Sequence, residues 1–452
     1  MAATLASRSG NLILSTSKPL RLLTLILFYF TQGFPVGLFF YAVPAWMSAN
    51  GASTAQVASV VSAASMPWTI KLINGFLIDR YTFLPMGRRR AWIIGAQSVA
   101  VLVLLAGALV APAASNVFLL SALAFGANSA ITFQDVGIDS LAVDIMPDDE
   151  RAKAAGIMFG AQLLGMATAT SLGGYLFQHA GITVALGVLA GFPLLVALYG
   201  VAIRERPGER RLPWTAGSSH PRNVGIQVDA WRPLLKSTGK SLLVPLTLAI
   251  VPILLLRSVP SGGFEAFHPA LFTRMAGWQI SEYTSLVSTS QMISGVAGLL
   301  IGGALIDRIG TRAGLVAAAS LGAAVLFIMG LAKPLWGETW LLVSLQISAD
   351  LIGLLYNIAV IPICMRLCSP RVAATQFTIY MALGNFGRPI GASLAAMTAG
   401  NGLPEWLYYS GALGWTVVAV LAFMVRFPVG SQGEAELVHD LPDAGGIAPK
   451  MD

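Results

Sequence analysis

Apolar residues run along this chain in long blocks, separated by short polar breaks. Twelve such blocks are predicted to span a membrane: 20–46, 54–79, 91–111, 117–147, 152–178, 182–203, 241–273, 281–307, 312–332, 338–368, 372–399 and 404–426. Each is long enough to cross a hydrocarbon core about 30 Å thick. Period-two alternation, the mark of a membrane barrel, is not visible. The backbone in lipid must satisfy its own hydrogen bonds, so the blocks are expected to be α-helices. The first block, LRLLTLILFYFTQGFPVGLFFYAVPAWM, is too long for a signal-peptide core and lacks a small-residue cleavage site. It is taken as the first span.

Composition supports this pattern. Of 452 residues, 56% are hydrophobic and only 11% are Asp, Glu, Lys or Arg, against about 25% charged in soluble domains. The net charge of +7 is explained by where the basic residues fall. With the N-terminus inside, 23 of the 28 Lys and Arg lie in inner segments, counted together with the inner ends of the spans, and only Arg274 and Lys333 lie towards the outer side in or beside outer loops. The remaining three, Lys71, Arg257 and Arg388, fall within spans. This bias places both termini in the cytoplasm and gives no reason to invoke nucleic acid. Loop composition points to a bacterial inner membrane. Cys364 and Cys368 are read as packing thiols, because a zinc site needs more ligands nearby.

One long polar break, RERPGERRLPWTAGSSHPRNVGIQVDAWRPLLKSTGK, occupies residues 204–240. It divides the chain into a six-span half over 1–203 and a six-span half over 241–426. The break is expected to be a cytoplasmic linker with a short surface helix. The tail over 427–452 is acidic, without periodicity, and expected to be disordered. The halves repeat each other after their second spans. Gly75, Asp79 and Arg80 stand in one copy of G-x-x-x-D-R, and Gly303, Asp307 and Arg308 in the other. The first copy continues to Gly87, Arg88 and Arg89. The glycine permits close helix approach, and the aspartate at a helix end can pair with basic residues. Such clusters are expected to latch the inner face in one conformation and release it in another.

With these loops the chain resembles the major facilitator superfamily, whose loop between helices two and three reads G-x-x-x-D-R-x-G-R-R. Here YTFLPM separates Arg80 from Gly87, so the first copy is stretched. The resemblance implies an all-α polytopic membrane protein, with twelve transmembrane helices in two pseudo-symmetric six-helix halves and a cavity lined by helices one, four, seven and ten. Three stretches, LIDRYTFLPMGRRRAW, FQDVGIDSLAVDIMPDDERAKAAG and AATQFTIYMALGNFGR, are similar to the muropeptide permeases, the acetyl-coenzyme A transporters and related siderophore importers. Two features depart from the muropeptide permeases. They often carry two further spans, and often a basic residue where this chain has Ala142.

The fourth block, ITFQDVGIDSLAVDIM, carries Asp135, Asp139 and Asp144. A carboxylate in hydrocarbon costs several kcal/mol on even the mildest insertion scale, so such residues face a partner or a water-filled cavity. Asp135 and Asp139 are four apart and share one helix face. Like charges one turn apart in a low-dielectric wall oppose each other's ionisation, which suits a site that loads and unloads a proton. Lys71, Arg257 or Arg388 is expected to supply a counter-charge or substrate anchor. The competing reading is a structural ion pair between an aspartate and Lys71 or Arg388. Asp144 lies near the inner surface, where a capping or latch role is expected. Gln32, Asp350 and Asn357 are further polar candidates for the cavity.

Glu265 and His268 share a face of the seventh span. Glu-x-x-His suits metal binding, but no second such pair exists, so no metal is expected. A proton relay, a substrate contact and a local hydrogen-bonded pair all remain open for these two residues. Gly33, Pro35 and Gly37 in span one, and Pro252, Pro260, Gly262, Gly263 and Pro269 in span seven, suggest interrupted helices that mark sites and gates. Trp46, Trp68 and Trp278 are expected as interfacial anchors.

A secondary transporter explains the repeats, the buried charges and the loops together. An enzyme would need nucleophile, base or metal ligands gathered at one depth, and no channel filter or sensor domain is visible. No G-x-x-x-x-G-K-[ST] loop is present, so drive by ATP is not expected, and no cofactor is implied. The expected activity is proton-coupled movement of an anionic organic solute, muropeptide-like or siderophore-like, by a monomer. Transport of acetyl-coenzyme A or another metabolite is the alternative.

Overall fold

The computed structural model describes residues 12–145, 148–225, 245–298, 303–367 and 373–425. Linker residues 226–240 and the tail over 427–452 lie outside them. Within the described residues the regular structure is helical, apart from one short parallel bridge between Ile13 and Arg204.

The first group of helices comprises α1 (Lys18–Ala49), α2 (Thr54–Ile70), α3 (Leu72–Arg80), α4 (Arg90–Val110), α5 (Val117–Ile145), α6 (Asp148–His179) and α7 (Gly181–Ala202). A short helix, α8 (Pro221–Gly225), lies in the linker. The second group comprises α9 (Pro245–Ala270), α10 (Ile280–Ala297), α11 (Gly303–Ile309), α12 (Thr311–Leu331), α13 (Thr339–Leu367), α14 (Ala373–Asn385), α15 (Gly387–Gly400) and α16 (Glu405–Met424). Among the described residues, eight helices are long and apolar enough to cross a membrane.

The other expected spans depart from that standard in particular ways. The second is split at Lys71, which joins α2 to α3. The eleventh is split between Asn385 and Gly387. The eighth is described as α10 and α11, with residues 299–302 between them outside the described set. The fifth is continuous as α6 but begins with a charged run.

Spans one and seven are not interrupted, contrary to the glycine and proline pattern. The helix continues through Pro35 and then widens into a π-helical turn over Leu38–Ala42. Likewise α9 runs through Pro252 and Pro260 and ends in a π-helical turn over Leu271–Met275. A π-turn absorbs an unpaired carbonyl without ending the helix.

The glycines have another use. A Cβ on Gly165 of α6 would sit 1.8 Å from the Phe30 carbonyl oxygen of α1, and one on Gly391 of α15 would sit 1.8 Å from that of Val259 in α9. Backbone therefore meets backbone along α1–α6 and again along α9–α15, the small-residue packing that membranes favour. The two groups touch each other chiefly through α6 with α10 and α2 with α15. The end of the bundle bearing Leu14, the 81–89 loop and the linker is called here the proximal face.

Candidate functional site

A cavity of about 420 Å³ lies between the two groups. It is lined by Tyr29, Gln32, Lys71, Asp135, Arg257, Tyr356, Asn357 and Arg388, among others. Of these, Gln32, Lys71, Asp135, Arg257, Asn357 and Arg388 are picked out in the sequence by their polarity within apolar blocks. They come from α1, the α2–α3 junction, α5, α9, α13 and α15.

On one wall, Asp135 is buried at 5% exposure. Its carboxylate accepts from Gln32 Nε2 at 2.5 Å and from Lys71 Nζ at 3.2 Å. Lys71 owes its place to the helix break, which sets its side chain against α5. Its ammonium also lies 5.7 Å from the centre of the Trp68 ring, whose Nε1 donates to Asn128 Oδ1 at 2.8 Å. Trp68 lines the cavity and is not an interfacial anchor. Trp46, too, is buried, stacked on Phe177 at 5.4 Å. One turn beyond Asp135, Asp139 accepts a hydrogen bond from the Tyr29 hydroxyl. The two carboxylates therefore have unlike partners, a cation for one and a neutral phenol for the other.

On the opposite wall, Glu265 Oε1 lies 3.3 Å from Arg388 Nη1. Close contact of α9 with α15 holds this pair: a Cβ on Gly262 would lie 2.0 Å from the Arg388 carbonyl oxygen. The Arg388 guanidinium also lies 4.9 Å from the centre of the Phe40 ring of α1. Arg257 stands over the Tyr356 ring at 5.3 Å and has no carboxylate at ion-pair distance among the described residues.

Glu265, His268 and Asp350 do not line the cavity. They line a separate chamber of about 100 Å³, together with Tyr41, Tyr283 and Arg257. There Asp350 Oδ2 accepts from Ser290 at 2.6 Å and Gln346 at 3.0 Å. Among the described residues no His, Cys, Asp and Glu cluster could hold a metal ion.

The proximal face carries the loop motif. Asp144 lies 3.3 Å from Arg88 Nη1 and 3.7 Å from Arg89 Nε. Gly87 has φ +103°, and a Cβ there would come 2.5 Å from the Glu205 carboxyl carbon. Gly75 differs: a Cβ would meet Val136 at 3.8 Å, an ordinary contact, so close approach does not require glycine there. Arg80 ends α3 and Arg308 lies exposed on α11. Gly303 opens α11. The side chains of Asp79 and Asp307 lie outside those described.

Sequence reading missed Glu205. It is fully buried and accepts the backbone N–H groups of Arg88, Arg89 and Arg90 at 2.8, 2.8 and 2.6 Å. It thus supplies the acceptor that the N-terminus of α4 needs. The first part of the linker is accordingly a built structure. Glu209 accepts from Arg206 N and Asn223 Nδ2, both at 2.9 Å, and Arg206 donates to the Asp144 carbonyl at 3.2 Å. Burial, and then the Glu205 carboxylate, push the Glu209 carboxyl up to about 7. The only sequence signal was two glutamates set among arginines in RERPGERR.

Comparison with known proteins agrees with this architecture. The family model described as Major Facilitator Superfamily matches residues 25–392. The anhydromuropeptide permease of Escherichia coli K12 is 23% identical over 379 residues, covering 80% of this chain and 71% of that protein. An uncharacterized membrane protein of Saccharomyces cerevisiae is 37% identical over 81 residues, 18% of this chain and 14% of that one. Among solved structures, a bacterial homolog of the human lysosomal transporter Spinster, in an inward-facing and unoccupied conformation, superposes with TM-score 0.66 at 16% identity, over 95% of this chain and 100% of that chain. The nucleoside transporter NupG gives 0.67 at 14%, over 90% of this chain and 100% of that chain. At these identities the structures speak for the fold alone. The chain is an integral, multi-pass membrane transporter and belongs to the Major Facilitator Superfamily.

Proposed function

We propose that this transporter is a secondary, proton-coupled carrier of an anionic organic solute, and that a muropeptide-like molecule is the first candidate. The observation that carries the reading is the cavity between the two groups. It holds two cations paired to carboxylates, Lys71 and Arg388, and a third, Arg257, with an aromatic ring beneath it and, among the described residues, no carboxylate partner. A buried cation in a low-dielectric cavity draws an anionic group, and Arg257 is its anchor. Similarity to the anhydromuropeptide permease is the reason to try muropeptides before siderophores.

Protons enter through Asp135 and Asp139. A proton on this pair weakens the hold on Lys71 and the Tyr29 hydroxyl, and so loosens α5 from α1 and α2. The halves over 1–203 and 241–426 rock about α6–α10 and α2–α15. Latch residues Gly75, Asp79, Arg80, Gly87, Arg88, Arg89, Asp144, Gly303, Asp307 and Arg308 act at the proximal face, which is cytoplasmic together with both termini. The protein works as a monomer in a bacterial inner membrane.

Uptake of labelled anhydromuropeptide into proteoliposomes under an imposed pH gradient tests this reading. Gradient-dependent uptake that fails in Asp135→Asn supports it. No uptake by folded wild-type protein removes muropeptides and leaves ferric siderophores and acetyl-coenzyme A to be tried. Coupling retained in both Asp135→Asn and Asp139→Asn removes the proton site.

A further inference from the structure

The Glu265–Arg388 pair stands between two compartments. Arg388 lines the central cavity and Glu265 lines the small chamber behind it. The Arg388 side chain is 24% exposed and that of its carboxylate partner only 4%. The cation thus faces where solute would sit, and the anion faces away from it.

The chamber's lining is largely apolar, and the polar groups within it are incompletely satisfied. Glu265 Oε2 and His268 Nε2 are buried without a hydrogen-bond partner. A volume of about 100 Å³ admits several waters, each of which needs about 10–15 Å³ on this measure and two to four polar partners. The unpartnered carboxylate oxygen and imidazole nitrogen supply such partners. Groups facing Glu265 are Arg388 from α15, Tyr41 from α1, Tyr283 from α10, Asp350 from α13, and Arg257 and His268 from its own helix. With all four ionic groups charged, two arginines balance two carboxylates, so the chamber has no surplus charge that calls for a metal cation.

We infer that Glu265 and Arg388 form a proton-gated anion site: a proton taken up by Glu265 frees Arg388 to bind an anionic group of the solute. The inference rests on the proposed anion transport and adds a second proton site, in the half opposite Asp135. The step balances simply. A hydronium in the chamber gives its proton to the Glu265 carboxylate, leaving water and a neutral acid, and no covalent bond to solute is made. Arg388 then keeps Phe40 beneath it but has lost its full counter-charge. A carboxylate or phosphate entering the cavity replaces that counter-charge. Ionised Glu265 competes with the solute for the same guanidinium, so proton and anion favour each other's binding reciprocally. Arg257, which lines both compartments, completes a two-arginine seat. The solute class is one with two anionic groups, of which the second binds only with a proton.

The test is binding of labelled anhydromuropeptide to the full-length protein in nanodiscs at pH 6, 7 and 8. One linked proton gives the wild type up to about tenfold tighter binding for each unit fall in pH beyond any slope that Glu265→Gln retains. Glu265→Gln should bind at pH 8 nearly as tightly as wild type at pH 6. Arg388→Gln, which leaves the carboxylate in place, should bind weakly and without this slope. A Glu265→Gln protein with the wild-type slope, or an Arg388→Gln protein with wild-type affinity, overturns the inference. If anhydromuropeptide does not bind the wild type at any pH, the muropeptide reading fails, and the pair is read without solute. Infrared difference spectra between pH 8 and pH 6 should then show a protonated-carboxyl band that Glu265→Gln lacks. Its absence from the wild type overturns the inference as well.

Discussion

Replacing Glu205 by Gln tests whether the linker is a working part of the proximal face. The native carboxylate takes three backbone N–H groups at the start of α4, with Oε1 serving Arg89 and Arg90 and Oε2 serving Arg88. An amide has one acceptor oxygen. If that oxygen keeps Arg89 and Arg90, the NH₂ group is forced against the Arg88 N–H. One charge-assisted bond, roughly 1.5–3 kcal/mol, is lost. The negative charge at a helix N-terminus also goes, at roughly 0.3–2 kcal/mol. The expected cost is therefore about 2–5 kcal/mol. Unfolding entropy scales at about 2 cal/mol/K per residue, so a chain of this length loses about one degree of Tm per kcal/mol. Thermal unfolding of the purified protein in detergent, at one fixed scan rate, should show Glu205→Gln about 2–5 °C below wild type. Glu205→Ala, which abandons all three amides, should fall further. A Glu205→Gln protein within 1 °C of wild type would refute the argument that this carboxylate caps α4.

Gly87→Ala should destabilise by several degrees on the same assay, because its φ is +103° and its Cβ would strike the Glu205 carboxyl. Combined with Glu205→Ala it should cost less than the two singles together, since the clash is then relieved. Gly165→Ala should reduce folded yield on size-exclusion chromatography more than Gly75→Ala, because the first meets a backbone carbonyl at 1.8 Å and the second meets only a Val136 methyl at 3.8 Å. The Glu209 carboxyl is pushed above its ordinary value, to about 7, so its contribution to stability is complete below about pH 4.5 and is lost as pH rises toward 7. The Tm difference between Glu209→Gln and wild type should accordingly change between pH 5 and pH 8 in favour of the variant, and a constant difference would show that this carboxyl does not titrate there.

What the sequence made legible follows from the cost of charge in lipid. Asp135, Lys71, Arg257 and Arg388 stood out because each sits inside an apolar block, where an unexplained charge is expensive, and the structure brings all four to one cavity. Glu205 did not stand out, because its neighbours are arginines in a polar stretch where charge costs little. Its burial depends on α4 beginning beside it, a tertiary fact. The division of Glu265, His268 and Asp350 from the central cavity was equally hidden. Helical spacing fixes which residues share a face, but not which compartment that face meets. Glycine and proline were legible as unusual and misleading as breaks. Carbonyl-to-Cβ approaches near 2 Å at Gly33, Gly37, Gly262 and Gly391 show that these positions serve helix contact.

The shortfall in long apolar helices has a physical order to it. Among the described residues, the expected spans without such a helix are the second, fifth and eleventh, described here as α2 with α3, α6, and α14 with α15, while the eighth, α10 with α11, has residues 299–302 outside the described set. They supply the chief contacts between the two groups, α6 against α10 and α2 against α15. A helix with protein on both flanks presents less of its surface to lipid, so hydropathy constrains it less. It can hold Lys71 at a junction, or Arg388 just beyond one, without the desolvation cost a lipid-facing helix would meet. Lys71 and Arg388, the charges at two breaks, lie on helices that the two halves share, whereas Asp135, Asp139, Arg257, Glu265 and Asp350 lie on α5, α9 and α13. In the proposed rocking motion the shared helices are the elements whose partners change, and a uniformly apolar helix there would offer one packing and no switch.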